Sequence, residues 1–222
     1  MQAIVTGASR GLGLALTRAL AERGWRIVVD ARDGAALQRA VVGLDGVVAV
    51  PGDVADTDHR RRLVEAAGDS IDLLVNNASV LGPSPQPVLA EYPLEELRRV
   101  YEINVLAPLA LVQLVLPRLT EAARVLNITS DAAVEAYEGW GGYGAAKAAV
   151  EQASHVLAVE EPGLRVWWVE PGDLRTLMHQ EAFPGEDIGD RPLPETAVPA
   201  FLRLIWDRPP SGRIRLAEVA VA

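Results

Sequence analysis

Cysteine is absent from the 222-residue chain. This removes disulfides, thiolate metal sites and cysteine nucleophiles together, and it fits a reducing, cytoplasmic setting. Histidine is scarce: His59, His155 and His179 stand far apart, so metal-ligand spacing is missing and no metal is expected. Positive charge is short, with 21 Lys and Arg against 30 Asp and Glu and a formal net charge of −9. That balance excludes a broad electrostatic footprint for nucleic acid or an anionic membrane, and any anionic ligand must be held by local groups. The stretch MQAIVTGASRGLGLALTRAL lacks a basic start followed by an unbroken apolar run, so it does not read as a signal peptide. The longest apolar segment, INVLAPLALVQLVLP at 103–117, is interrupted by Asn104, Pro108 and Gln113. It is shorter than a bilayer-crossing helix needs and reads as a buried helix.

What is present is ordinary for a folded protein: 50% hydrophobic and 23% charged residues. The length predicts one domain over residues 1–222. Short, almost continuously apolar runs at 3–7, 26–31, 47–50, 71–77, 123–130 and 164–171 read as strands covered on both faces. Helical patterns at about 11–23, 33–42, 56–68, 94–118 and 143–160 alternate with them, and RIRLA in the tail offers a last strand before a short apolar end. Such alternation predicts an α/β fold, a doubly wound parallel sheet of about seven strands with helices on both faces and a ligand beyond the carboxyl ends of the strands. The Pro-rich stretch 81–93 and residues 179–195 read as long loops over that edge, the second within a substrate loop and helix region reaching to about residue 210.

Gly7, Gly11 and Gly13 follow the first strand and open the first helix. In that context they allow a tight turn and close backbone approach, and the helix N-terminus offers N–H groups to a pyrophosphate; alone they would form only a loop. At the end of the second strand Asp30 and Arg32 compete: an acid there holds ribose hydroxyls, an arginine the extra phosphate of NADP. Asp53 after the third strand is either an acceptor for an adenine amino group or a turn-forming residue. In GGYGAAKAAV (141–150), Tyr143 and Lys147 stand four apart on one helix face. An adjacent ammonium is expected to lower the phenol from about 10, making proton exchange possible near neutrality.

The chain closely resembles the single-domain branch of the short-chain dehydrogenase/reductase family. TGASRGLG at 6–13 is similar to the family's TGxxxGxG, NNAS at 76–79 to its NNAG with Ser79 in place of glycine, and PGDLRT at 171–176 to its PGxxxT. Tyr143 and Lys147 match YxxxK, and Asn104 and Ser130 fall where its catalytic asparagine and serine fall. The resemblance implies a Rossmann-type fold and a carbonyl or alcohol substrate. It implies Asn104, Ser130, Tyr143 and Lys147 as catalytic, with Asn104 holding a proton-relaying water. It implies cofactor contacts from Gly7, Ser9, Arg10, Gly11, Leu12, Gly13, Asp53, Val54, Asn76, Asn77 and Ala78, and from Pro171, Gly172, Leu174 and Thr176. Alignment from the glycine loop puts Ala31 where NAD-preferring members carry Asp and Arg32 where NADP-preferring members carry Arg. NADP(H) is therefore expected, with NAD(H) as the alternative. Relatives pair through the helices at 94–118 and 143–160, which implies a homodimer or homotetramer. Competing with turnover are a nicotinamide-sensing regulator of the same fold and an isomerase or dehydratase that uses bound cofactor transiently. At three positions the residues themselves leave a local role open: Ser130 as a turn cap, Asn104 as a backbone bond at a helix irregularity, Arg10 as a surface charge. Ser79 raises one further question, whether a position needing positive φ has lost its glycine.

Overall fold

A computed structural model describes residues 1–220; of the apolar tail, Val221 and Ala222 lie outside the described residues. Seven strands form one parallel sheet: β1 (Gln2–Val5), β2 (Arg26–Val29), β3 (Val47–Ala49), β4 (Ile71–Asn76), β5 (Leu119–Ile128), β6 (Arg165–Glu170) and β7 (Gly212–Arg215). Their spatial order is β3-β2-β1-β4-β5-β6-β7. The chain therefore winds one way from β1 to β3 and the other way from β4 to β7, and the reversal lies between β1 and β4, where crevices form in such sheets. Register runs Val5 against Val29 on one side and Val75 on the other.

Period-two alternation within apolar strands explains the double covering. Ala3 and Val5 face one core with Leu73, Val75, Trp167 and Val169. Helices α1 (Gly11–Ala21) and α8 (Pro194–Asp207) pack there through Leu16, Leu20, Phe201 and Ile205, and α2 (Gly34–Val41) through Leu37. Ile4, Leu74, Val125 and Val166 face the other core, covered by Leu63 and Val64 of α3 (Thr57–Ala67) and by Leu111, Val112 and Val115 of α5 (Ala107–Val115). Helix α4 (Leu94–Tyr101) runs through a π-helical turn, Glu102–Leu106, into α5. The helical run Leu94–Arg118 is 25 residues long and, by length and apolar composition, long enough to cross a membrane. This corrects the expectation that the apolar segment is too short. Here Val100, Ile103, Ala107 and Leu111 are buried, so one face of the run lies against protein, while Leu106 and Leu109 are exposed. The 179–195 stretch also departs from a plain loop, because α7 (Leu177–Ala182) occupies its start, with Thr176 capping it through the His179 N–H. Helix α6 (Gly141–Glu160) carries Tyr143 and Lys147 beneath the carboxyl edge of β5.

Candidate active site

β1 runs into the glycine turn and α1 leaves it. Gly7 and Gly11 have φ of 68° and 57°, in the left-handed region glycine adopts freely. A Cβ at Gly7 would lie 2.9 Å from Ala78 Cα, and one at Gly13 would lie 2.5 Å from both the Gly7 carbonyl oxygen and Asn77 Nδ2. Loop, helix and the end of β4 are thus as close as backbone permits. Asn77 Nδ2 locks them, donating to the carbonyls of Thr6 and Gly7 at 2.8 and 3.1 Å. The N-terminus of α1 differs from its neighbours. Asp33 caps α2 and Asp56 caps α3, while Arg10 makes no side-chain cap on α1 and the first turn holds no acid. Its N–H groups and partial positive charge remain for an anionic group.

Asp30 closes β2 and is 1% exposed. One carboxylate oxygen accepts the Gly7 N–H at 2.7 Å and the other lies 3.0 Å from His59 Nε2. Burial pushes this carboxyl above the usual range, while the His59 and Gly7 hydrogen bonds pull it back. Asp30 is therefore engaged in holding the loop, which leaves Arg32, on the crevice wall, as the charged group of that pair without such partners among the described residues. Asp53 serves its turn, accepting the Ala55 N–H at 2.9 Å, and also lines the crevice with Val54. His59, on α3, is fully buried.

At the other end, Tyr143 and Lys147 are buried. Lys147 Nζ donates to the Ile128 carbonyl at 2.8 Å and sits 5.4 Å from the Tyr143 ring centroid. Burial pushes the phenol up, Asp131 adds to this, and a hydrogen bond with Ser79 pulls it down. Burial pushes the Lys147 ammonium down to about 8, opposed by Glu151. The expectation that the ammonium lowers the phenol is corrected: desolvation disfavours both charged forms and is the largest cause of each shift. Ser130 Oγ donates to Asp131 Oδ1 at 2.8 Å and accepts the Ala132 N–H at 3.2 Å, so it caps the turn that follows β5.

Of the catalytic and cofactor-contact residues expected from sequence, all but Gly13, Asn76 and Asn104 line one continuous crevice. Gly13 is packed behind the loop. Asn76 points into the sheet, donating to Asn127 Oδ1 at 2.7 Å. Asn104 sits in the π-helical turn, where Oδ1 accepts from Ser79 Oγ and the Val80 N–H and Nδ2 donates to the Val80 carbonyl at 2.8 Å. Its amide therefore pins the segment after β4. Among described residues Ser79 is not one with positive φ, so its replacement of glycine carries no strain.

The family profile for short chain dehydrogenases matches residues 1–187. The chain belongs to the short-chain dehydrogenase family. It is 39% identical over 180 residues to 1-deoxy-11-beta-hydroxypentalenate dehydrogenase of Streptomyces arenae, covering 78% of this chain and 61% of that protein's length. The enzyme of the same name from Streptomyces exfoliatus is 35% identical, with 96% of this chain and 81% of that one covered. A solved short-chain dehydrogenase from Escherichia coli, complexed with NADPH, superposes with a TM-score of 0.89 at 26% identity over 96% of this chain and 95% of its own. Membership makes this chain an oxidoreductase of a family that uses nicotinamide cofactors.

In this short-chain dehydrogenase a second charged cluster, unread from sequence, underlies the Tyr143 end. Arg213 of β7 bonds Glu151 of α6 at 3.0 Å and the Ser130 carbonyl at 3.2 Å, and approaches Glu170 at 2.7 Å. Thr129 Oγ1 donates to Glu151 at 2.7 Å. The ends of three strands and α6 are tied at one guanidinium. Nothing in the local sequence places Arg213, 62 positions from Glu151, beside it. Above, Ser84 Oγ donates to the Glu181 carbonyl at 2.6 Å, joining the Pro-rich loop to α7 across the crevice mouth.

Proposed function

We propose that the chain interconverts a carbonyl and an alcohol on a small or medium organic molecule, with NADP(H) preferred over NAD(H). The observation that carries this is the shared crevice: an uncapped α1 N-terminus with Arg10 and Arg32 at one end, buried Tyr143 and Lys147 with Ser130 at the other. The cradle fits a dinucleotide, since Gly7 and Gly13 hold the loop where any Cβ would collide with backbone or Asn77. Arg32 and Ser9 would meet the extra phosphate, the α1 N-terminus the pyrophosphate, and Thr176 and the backbone near Leu174 the carboxamide. When bound, the reduced nicotinamide supplies the hydride, both electrons of the reduction.

Tyr143 delivers the proton to the substrate oxygen in reduction and removes it in oxidation. Its raised phenol keeps that proton until negative charge develops on the oxygen beside it. Ser130 donates a hydrogen bond to the same oxygen, exchanging its Asp131 partner for substrate. Lys147, charged below about 8, holds the Ile128 carbonyl and faces the Tyr143 ring, where its charge favours the phenolate formed in turnover. The test is oxidation of NADPH, and of NADH in parallel, with a panel of ketones and aldehydes. We expect turnover favouring NADPH, falling about 100- to 10000-fold in Tyr143→Phe with the affinity for NADPH kept. Binding of NADPH without turnover of any panel member would sink the reading in favour of a sensor. The exposed Leu106, Leu109, Val156 and Val159 on α5, its preceding turn and α6 support a homodimer or homotetramer. Sedimentation as a monomer at micromolar concentration would rule that out.

A further inference from the structure

The Tyr143 end of the crevice has an aromatic wall that the chemistry above does not use. Trp140 stands at the N-cap of α6, three residues before Tyr143. Its indole meets the Tyr143 ring edge-on, centroids 5.8 Å apart at 74°, and Phe183 at 5.9 Å. From outside, Tyr137 packs on it at 6.4 Å and 69°. Three aromatic neighbours therefore fix the indole before any ligand arrives. Leu81 and Met178 complete the apolar lining. The charges around this end are mostly acidic: Asp131, Asp173 and Glu181 line the crevice beside Arg175 and the buried Lys147, and Arg191 is paired with Asp173 and Asp190.

We propose that the substrate is an uncharged ketone carrying an aromatic ring on or next to the carbonyl carbon, its ring held against Trp140 and its oxygen at Tyr143. This rests on the carbonyl-reductase reading above and narrows it. A flat ring gains edge or face contacts with a preorganised indole that a straight alkyl chain does not. A substrate carboxylate would enter among three acids and be repelled. In the reduction the carbonyl carbon receives the hydride, the C=O π bond becomes a lone pair on oxygen, and Tyr143 protonates that oxygen; NADPH is the electron donor.

The experiment compares 1-phenyl-1-propanone, its para-carboxylate and 2-octanone with NADPH and the full chain. We expect kcat/KM for the phenyl ketone to exceed that for 2-octanone about tenfold and that for the carboxylate about a hundredfold or more. In Trp140→Ala the KM for the phenyl ketone rises about three- to tenfold while 2-octanone is little affected. Trp140→Phe, which keeps a ring and guards against misfolding of the smaller variant, retains most of the preference. Tryptophan fluorescence quenched by the phenyl ketone in the wild type and not in Trp140→Phe gives a readout independent of turnover. Equal efficiency with 2-octanone or the carboxylate overturns the proposal and leaves the carbonyl-reductase reading standing. No turnover of any of the three by a folded, NADPH-binding chain overturns both.

Discussion

At the glycine-loop end of the crevice the buried polar groups engage one another, whereas at the Tyr143 end they press toward the reacting position. Asp30 is satisfied by Gly7 and His59, and Asn77 by the Thr6 and Gly7 carbonyls. Those contacts freeze a backbone shape. At the other end a phenol is pushed up and an ammonium pushed down by burial, with Glu151 opposing the latter. On the proposed reading, rigidity serves binding in the first region, and unfavourable desolvation, held in place by a charged cluster, serves proton transfer in the second. Damage to the first should therefore show mainly in stability and cofactor affinity, and damage to the second in rate and its pH dependence.

The largest effect expected from breaking this contrast comes from Asp30→Ala. It leaves the Gly7 N–H and the fully buried His59 without their carboxylate partner, a cost of roughly 3 kcal/mol. For a chain of this size that lowers Tm by roughly 6–12 °C. The apparent Kd for NADPH rises because the loop loses its anchor, while kcat at saturating cofactor stays near the wild-type value. Differential scanning calorimetry with a cofactor titration checks both. An unchanged Tm would mean that Asn77 and the glycine packing hold the loop by themselves, and the first region would not depend on its buried pair.

The same contrast explains what the sequence makes legible. The strands of the parallel sheet are near-continuous apolar runs, and the glycines stand in a tight local spacing, so β1, α1 and the loop between them are readable from neighbours in the chain. Tyr143 and Lys147 are readable for the same reason, being one helical turn apart. Their titration is not: the direction depends on burial beneath the loops after β4 and β6. Asp30 with His59, and Arg213 with Glu151 and Glu170, join residues far apart in the chain through the sheet order. The segment of α8 carries Pro194 at its first turn and Pro199 inside, breakers that hide its apolar face of Phe201, Leu204 and Ile205 from periodicity. Asn104 and Ser130 show the remaining limit. Each position matches the family pattern, while the bonds each makes, to Val80 and to Asp131, are those of a structural residue.

The smallest and most discriminating effect concerns Lys147. The groups around its ammonium are the Ile128 carbonyl of β5, the Tyr143 ring, and Glu151 on its own helix, with Glu151 shared by Arg213 of β7, which also meets Glu170 of β6. A charged Lys147 is needed to favour the phenolate, so the rate should fall as pH rises through about 8. Glu151→Gln removes the one negative charge that raises Lys147, and the falling limb should move to lower pH by about one unit. Arg213→Met leaves Glu151 unshared and should move the limb the other way. A purely mechanical clamp would lower the rate in both variants without moving the midpoint. Opposite shifts of the pH–kcat profile thus separate an electrostatic role for the cluster from a structural one, and coincident midpoints would place the tuning of Lys147 in burial alone.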